Sequence, residues 1–293
     1  MSAPRRPSRT GHRRDRWLLG VCTAAATLAG VIALLVVGFL VVEAAPLLVR
    51  HGPLAFFTDE RWVPRDGQYG LLPMVAGSVV VVVGAVALST PLGIGAALAS
   101  ALFAGPRLSR LLRAALAVLA GVPSVIYGFW GLTVVVPLIN RVQAPGVSVL
   151  AGVLVLALMI LPTMALLADA ALRAVPAAFL QQGAALGLSP TAVALHVALP
   201  AARRGLVAAS VLQVGRALGE TMAVIMVMGN AIQVPGSVFD PARALTAHIA
   251  LEMAYALGDH RRGLFVSGLL LMTVVAALLL LAGRLRTAAA LPA

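Results

Sequence analysis

The chain has 293 residues, of which 61% are hydrophobic and 11% are charged, and its mean hydropathy is +1.00. A soluble globular protein is excluded, because most of such a chain could not face water. A helix needs about 20 mostly apolar residues to cross the hydrocarbon layer. Six such runs predict an all-α integral membrane protein with six transmembrane helices, at residues 17–42, 71–104, 112–139, 147–169, 205–230 and 263–283.

All 22 basic residues that set the net charge of +12 are arginines, since the chain contains no lysine. With the N-terminus placed inside, 14 arginines fall in cytoplasmic segments, 7 fall in external ones, and Arg216 alone lies within a span. Cytoplasmic loops carry such an excess, so both termini are predicted to be cytoplasmic. The basic tail is therefore a topology signal and not a nucleic-acid arm, because it lacks interleaved aromatic residues.

Several kinds of chemistry are excluded by residues that the sequence lacks. Cys22 is the only cysteine, so neither a disulfide within the chain nor a thiolate metal cluster is possible. The five histidines show no metal-binding spacing, and no cofactor is expected. Without lysine the phosphate-binding loop GxxxxGK(S/T) cannot occur. The chain is therefore not expected to be an enzyme, and any ATP would be hydrolysed by a separate subunit.

The spans divide the chain into regions of different character. In order we expect a basic cytoplasmic tail, an extra N-terminal transmembrane helix, an external loop, a core transmembrane domain and a second cytoplasmic tail, at 1–16, 17–42, 43–70, 71–283 and 284–293. Aromatic and charged residues alternate in the external loop between Phe56 and Pro64, which suits a membrane interface or a docking surface.

The third span contains "AGVPSVIYGFWGL", residues 120–132. Pro123 removes a backbone donor, and the three glycines permit the close approach of another helix. A kinked helix at membrane depth is tolerated only against protein or a watery cavity, so this span is expected inside the bundle. A glycine-mediated helix contact and a pathway lining remain equally open.

A cytoplasmic segment, 170–204, separates the fourth and fifth spans. Its apolar residues recur at helical spacing, and Gly187 interrupts them. We therefore predict two short helices with a turn between them, the second starting at Ser189 and Pro190 as N-cap and first position. Their apolar faces must be buried against the protein's own helix ends or against a partner.

The last external loop, 231–262, carries a further helix signal. Asp240 before Pro241 predicts a helix start, and an apolar face follows at Leu245, Ile249, Met253 and Ala256. This helix is expected to pack at the outer mouth. A general-acid role for Glu252 is disfavoured, because spacing places no carboxylate or histidine partner beside it.

The stretch "VGRALGETMAV", residues 214–224, puts two charges near the middle of the fifth span. Charges at that depth are costly, so Arg216 and Glu220 are expected to face the interior. Their i, i+4 spacing places them on one face of a helix, within bonding reach. The planar guanidinium suits a tetrahedral oxyanion, and the glutamate would neutralise the empty site. A purely structural ion pair is the equally weighted alternative.

The segment 170–204 resembles the EAA loop of ABC-importer permeases, the element that seats in a groove of the ATPase. "QQGAALG", 181–187, is followed by "VALP", 197–200. Gln181 stands where the family usually has Glu, and Gly183 where it has Ala. The resemblance assigns ATPase coupling to seven residues: Gln181, Gln182, Gly183, Ala184, Gly187, Leu199 and Pro200.

Four further segments resemble the C-type permease of the phosphate-specific transport (Pst) system. They are "YGLLPMVAGS" (69–78), "AGVPSVIYGFWGL" (120–132), "GRALGETMAV" (215–224) and "ALTAHIALEMAYALGDH" (244–260). Ser78 is a departure, since the family tends to have Thr there. The resemblance implies the type I, MetI-like importer fold. It also assigns phosphate movement to Arg216 and Glu220, with Thr221 beside them.

What the resemblance implies about function is inward transport of inorganic phosphate across the bacterial cytoplasmic membrane by a multi-pass protein forming half of the pathway. The implied partners are a homologous A-type permease, two ATPase subunits, an external phosphate-binding protein and membrane lipid, with no nucleic acid.

Three other functions compete with phosphate import. A secondary transporter usually contains an internal repeat, but "GRALGET" occurs once. A membrane enzyme needs a larger set of polar residues within the spans than this chain has. An ABC permease for another oxyanion, such as molybdate or sulfate, stays open, because arginine binds these anions alike.

Overall fold

The computed structural model describes residues 9–287 and confirms the all-α fold. Within that range, five helices are long and apolar enough to cross a membrane, and a bent helix pair supplies a sixth span. The predicted tails lie partly outside the described residues, at 1–8 and 288–293. The helices are α1 (Arg9–His51), α2 (Ala55–Thr58), α3 (Leu72–Leu98), α4 (Pro106–Ala120), α5 (Ser124–Trp130), α6 (Val136–Asn140), α7 (Val149–Arg173), α8 (Ala177–Ala185), α9 (Pro190–Val193), α10 (Leu199–Leu218), α11 (Met222–Val227), α12 (Leu245–Glu252) and α13 (Gly258–Thr287).

The N-terminal helix α1 extends well beyond the run of 17–42 chosen from hydropathy. Its C-terminal half packs on α13, where the rings of Phe39 and Phe265 meet edge to face with centroids 5.4 Å apart. Its most apolar window has no residue buried inside the chain. The part of α1 that is exposed throughout, residues 16–36, therefore presents its apolar surface outward, as a helix facing lipid does.

The segment expected as an external loop, 43–70, is largely ordered secondary structure. After α1 and α2 it forms a short antiparallel hairpin of β1 (Trp62–Val63) and β2 (Gln68–Tyr69). Gly67 makes the turn possible with φ of +71°, a value that residues other than glycine rarely adopt. Trp62 and Tyr69 are buried, so the hairpin is part of a core shared with α1 and α13.

Helices α3 and α7 form the centre of the bundle. Glycines let them approach closely: a Cβ added at Gly93 would lie 2.7 Å from the Met164 side chain, and one at Gly84 would lie 2.7 Å from Val153. Small residues at helix contacts are typical of membrane bundles, where packing replaces the hydrophobic effect as the driving force. Ser148 caps α7 by accepting a hydrogen bond from the Ala151 N–H at 3.2 Å.

The predicted third span, 112–139, corresponds to a bent helix pair, in which α4 and the α5–α6 unit meet at 86°. Helix α4 ends at Gly121, and Pro123 precedes α5 without a backbone donor to continue the ladder. A π-helical turn, Gly131–Val135, joins α5 to α6. Gly128 lies directly against Ala223 of α11, and Gly131 lies against Val155 of α7, so two of the three glycines serve a helix contact.

The predicted fifth span, 205–230, was also misplaced. A continuous helical run from α9 through the π-helical turn Ala194–Ala198 to α10 starts at Pro190 and ends at Leu218. After a break the chain resumes as the short helix α11. Hydropathy placed the end of this span at residue 230 and not at Leu218, because the apolar residues of α11 continue the run past the break.

The loop between α11 and α13, which the sequence predicts to be external, folds over the end of the bundle. Its helix α12 begins at Leu245, not at Asp240 as predicted. Asp240 is used differently: its carboxylate accepts hydrogen bonds from the Gly236 and Ser237 N–H groups at 3.0 and 2.8 Å. Its carbonyl also accepts from the Val149 N–H at the start of α7. Asp240 therefore closes a local turn over α7.

Candidate functional site

The charged motif lies at a helix break and not in the middle of a helix. Arg216 is in the last turn of α10, and Gly219 ends that helix. The backbone N–H groups of Gly219 and Glu220 still bond to the Gly215 and Ala217 carbonyls, both at 3.2 Å. The next residues leave the helical path before α11 begins at Met222. The predicted placement of both charges on one helix face is thus wrong.

Glu220 accepts hydrogen bonds at both its side-chain carboxylate and its backbone carbonyl. Its side-chain Oε1 accepts a hydrogen bond from the Ala223 N–H at 3.1 Å, which satisfies a donor in the first turn of α11. Its backbone carbonyl accepts from the Thr246 hydroxyl at 2.8 Å. Thr221, between the two helices, donates its hydroxyl to the Gly219 carbonyl at 3.3 Å. The break is therefore a defined structure with its own hydrogen bonds.

Arg216 differs from Glu220 in having an exposed side chain. Among the described residues, its guanidinium forms no ion pair with Glu220 or with any other carboxylate. It does lie within electrostatic range of the Tyr127 hydroxyl on α5. A cation near a helix C-terminus is favoured by the helix dipole. The guanidinium of Arg216 therefore has N–H donors that are available to an anion.

A second polar cluster, which the sequence reasoning missed, surrounds Glu252 at the end of α12. The buried carboxylate accepts hydrogen bonds from Trp62 at 2.8 Å, from Arg243 at 2.6 Å and from His260 at 2.8 Å. His248 lies one turn earlier, with Nδ1 3.7 Å from the same carboxylate. The i, i+4 spacing of His248 and Glu252 was the one signal in the sequence that could have indicated it.

Burial and hydrogen bonding shift the acid–base behaviour of this Glu252 cluster. Burial would raise the pKa of Glu252, but the hydrogen bonds from His260, Trp62 and Arg243 and the charge of His248 lower it below its usual value. Burial lowers the pKa of His248 to about 4, against the opposing effect of the Glu252 carboxylate. The cluster thus holds an ionised carboxylate beside a neutral histidine. Within residues 9–287 no group of acidic, histidine or cysteine side chains is arranged to hold a metal ion.

The predicted pair of helices in 170–204 is confirmed as α8 and the run that starts with α9. Gly187 has φ of +77°. Its N–H bonds to the Ala184 carbonyl, and the Leu188 N–H bonds to the Gly183 carbonyl, which together close α8 as a Schellman motif. Ser189 caps the following helix through the Ala192 N–H, as expected from its position before Pro190.

The residues assigned to ATPase coupling divide between surface and core. Gly183 is buried against the side chains of Val193 and Val197, which holds the two helices together. Leu199 is half-buried. Five residues are exposed: Gln181, Gln182, Ala184, Gly187 and Pro200. Leu186 at the turn is 82% exposed, so the tip of the hairpin presents apolar surface.

The same segment borders a groove and a polar anchor. The groove, of about 780 Å³, lies between the end of α7 and the start of α10 and includes Phe179 and Pro200. Just before it, Arg173 donates to Asp169 at 2.7 Å, to the Ser109 hydroxyl at 2.9 Å and to the Ser100 carbonyl at 3.1 Å. Arg173 therefore ties the start of the segment 170–204 to the corner between α3 and α4.

Residues 89–287 match the family described as "Binding-protein-dependent transport system inner membrane component". The "Probable ABC transporter permease protein YqgH" of Bacillus subtilis (strain 168) is 39% identical over 207 residues, covering 69% of this chain and 67% of that protein. The "Phosphate transport system permease protein PstC" of Mesorhizobium japonicum is 32% identical over 250 residues, covering 78% and 76%.

A relative of the same description occurs in Haemophilus influenzae, with 32% identity over 248 residues, 78% of this chain and 79% of that one. Among solved structures, an inward-facing MetNI methionine ABC transporter chain superposes with a TM-score of 0.58. It covers 75% of this chain and 98% of that chain at 17% identity. At this identity the likeness shows the fold alone, and that fold is the expected MetI-like one.

Proposed function

This chain belongs to the family of binding-protein-dependent transport system inner membrane components, and from that premise we propose that it forms half of the translocation pathway of an ATP-driven importer of inorganic phosphate. It is a multi-pass membrane protein. Phosphate is the anion named for several relatives with 30–32% identity. For this chain it is the substrate that the proposal assigns.

The observation that carries the proposal is the exposed guanidinium of Arg216 at the break between α10 and α11, which has no ion-pair partner within residues 9–287. A guanidinium presents several N–H donors in a plane, and it keeps its charge in any protein environment. Two of those donors fit two oxygens of a tetrahedral anion. Since Glu220 is engaged with α11, it does not compete for those donors in this conformation.

In this proposal Glu220 and Thr221 shape the site around Arg216. Glu220 fixes the start of α11, and Thr221 supplies a hydroxyl at the break. The negative charge of Glu220 opposes tight retention of the anion, which a transport site must release. The exposed side of the break would face a homologous A-type permease, which completes the pathway.

Energy would enter through the segment 170–204. The complex would include two ATPase subunits, and the exposed tip of this segment, where Gln181, Gln182 and Leu186 are accessible, would seat in a groove of the ATPase. The buried Gly183 and the anchor at Arg173 make the segment stiff enough to pass on a movement. An external phosphate-binding protein would deliver the anion to the opposite end of the bundle. Both termini of this chain would lie in the cytoplasm, and residues 71–283 would form the core transmembrane domain.

The test is uptake by proteoliposomes that contain this chain, its A-type partner and the ATPase subunits, with the loaded binding protein outside and ATP inside. We expect ATP-dependent accumulation of labelled phosphate. Excess unlabelled phosphate should abolish it, and sulfate or molybdate at the same concentration should leave it within twofold. Uptake of labelled molybdate or sulfate in place of phosphate would overturn the assignment of the substrate.

A further inference from the structure

The helix α12 connects the two polar sites described above. At its N-terminal end, the Thr246 hydroxyl donates to the Glu220 carbonyl at 2.8 Å. At its C-terminal end, the Glu252 carboxylate accepts from Trp62, Arg243 and His260. Fewer than two helical turns separate Thr246 from Glu252. The break at Glu220 and the outer surface are thus joined through a single short helix.

Both ends of α12 are fastened to the bundle. The Leu245 N–H donates to the Ser78 hydroxyl of α3 at 2.8 Å, and that hydroxyl donates in turn to the Met74 carbonyl. At the other end, the donors to Glu252 come from β1, from the loop before α12 and from α13. Because Glu252 is buried and ionised, losing a donor there leaves a poorly solvated charge.

The two attachments differ in how readily they can yield. The Glu252 cluster combines several charge-assisted hydrogen bonds, which are the strong kind. The bond from Thr246 to the Glu220 carbonyl joins two neutral groups and is weaker. A displacement of the outer hairpin or of the start of α13 would therefore be carried into α12, and the neutral hydrogen bonds at its N-terminal end would yield first. Its effect would be felt at the Thr246–Glu220 contact.

We propose that Thr246 and Glu252 are positioning residues that hold the Glu220 break in register with the outer surface, so that a change at that surface reaches the substrate site through α12. This inference rests on the proposed function, because it treats the break as the place where the anion is held. It identifies a specific route by which a loaded binding protein, docking outside, would act on Arg216 and its neighbours.

The experiment uses the single cysteine of the chain. In a Cys22→Ser background, Met222→Cys places one thiol at the start of α11, where the native side chain is 52% exposed. The rate of maleimide labelling is measured on the purified full chain in detergent. Thr246→Val, which removes the hydroxyl, should raise the rate at least threefold, and Thr246→Ser, which keeps it, should leave the rate within twofold.

The outer end is tested in the same way. Glu252→Gln should also raise the labelling rate at position 222 at least threefold, whereas the matched control Arg65→Gln, an exposed outer arginine, should not change it. Combining Thr246→Val with Glu252→Gln should give no more than the faster single variant, because the connection is already cut. The inference would be overturned if the increase in labelling rate of the double variant equalled the product of the two single increases, or if Glu252→Gln had no effect on that rate.

A second reporter separates local from general loosening. Leu186→Cys, at the exposed tip of the coupling segment, should label at an unchanged rate in every variant. Faster labelling at both reporters would mean that the whole fold is loosened, which would also overturn the inference. Labelling requires neither phosphate nor transport. If the expected changes in labelling rate are absent, the proposed function is unaffected. If phosphate uptake is absent, the connection through α12 is unaffected.

Discussion

The carboxylate of Glu220 accepts a hydrogen bond from the Ala223 N–H at 3.1 Å, while Arg216, four residues earlier, points its guanidinium to the surface without an ion-pair partner among the described residues. The end of α10 lies between them. The two charges are therefore handled by separate parts of the structure. Removing one does not strand the other.

The first prediction follows from this separation. Arg216→Gln should abolish phosphate uptake while the complex assembles at a normal yield, because no buried charge loses its partner. In Glu220→Gln the side-chain oxygen still accepts from the Ala223 N–H, so assembly should again be normal. The double variant should stay inactive. The measurements are labelled-phosphate uptake and complex yield for all three, with the exposed Arg141→Gln as the control; recovery of uptake in the double variant would contradict an anion contact at Arg216.

The second prediction concerns the turn of the coupling segment. No atom lies within 4 Å of a Cβ built at Gly187, so space does not limit substitution there, but its φ of +77° does. Such strain costs about 1–3 kcal/mol, and a β-branched residue suffers most. Gly187→Val should therefore reduce co-purification of the ATPase and transport together. Gly187→Asn, which tolerates this conformation, is the matched control and should retain both.

The third prediction concerns topology. A reporter fused after Arg286 should be cytoplasmic, and one inserted near Gly236 should be external. The reasons are the predicted distribution of 14 cytoplasmic and 7 external arginines and an even number of crossings, with the bent pair of α4 and the α5–α6 unit counted as one. The measurement is paired phosphatase and fluorescent-protein fusions. A cytoplasmic signal at Gly236 or an external one after Arg286 would refute the arrangement.

The fourth prediction concerns pH. The pKa of His248 is lowered to about 4 in the folded chain from an ordinary value of 6.5. The unfolded chain therefore binds more protons between these values, and stability falls as the pH drops through that window. Between pH 7 and pH 5 the loss should be about 2 kcal/mol. Glu252 does not contribute there, because its lowered pKa moves its own loss of stability to more acidic pH.

This loss is measured as a fall in the thermal midpoint of the purified chain in detergent between pH 7 and pH 5. His248→Phe, which keeps a buried ring against Trp62 but cannot be protonated, should lose most of the difference. The exposed His196→Phe should keep it. An unchanged midpoint in the native chain over this range would show that burial does not hold His248 neutral.

The amino-acid sequence alone was sufficient for the features that depend on composition and on neighbouring residues. Apolar runs of membrane length predict transmembrane helices whatever the packing, because an unpaired backbone cannot lie in lipid. The turn at Gly187 and the cap at Ser189 were predicted correctly for the same kind of reason. Each is satisfied by backbone groups within a few positions along the chain.

The tertiary structure decided what depends on residues far apart in the chain. The break after Leu218 could not be read from hydropathy, since the apolar residues of α11 continue the run past it. The break is held by Thr246, 26 positions beyond Glu220. The partners of Glu252 include Trp62, 190 positions away. A buried charge takes whichever donors the fold brings to it, and periodicity along one segment carries no information about donors on another.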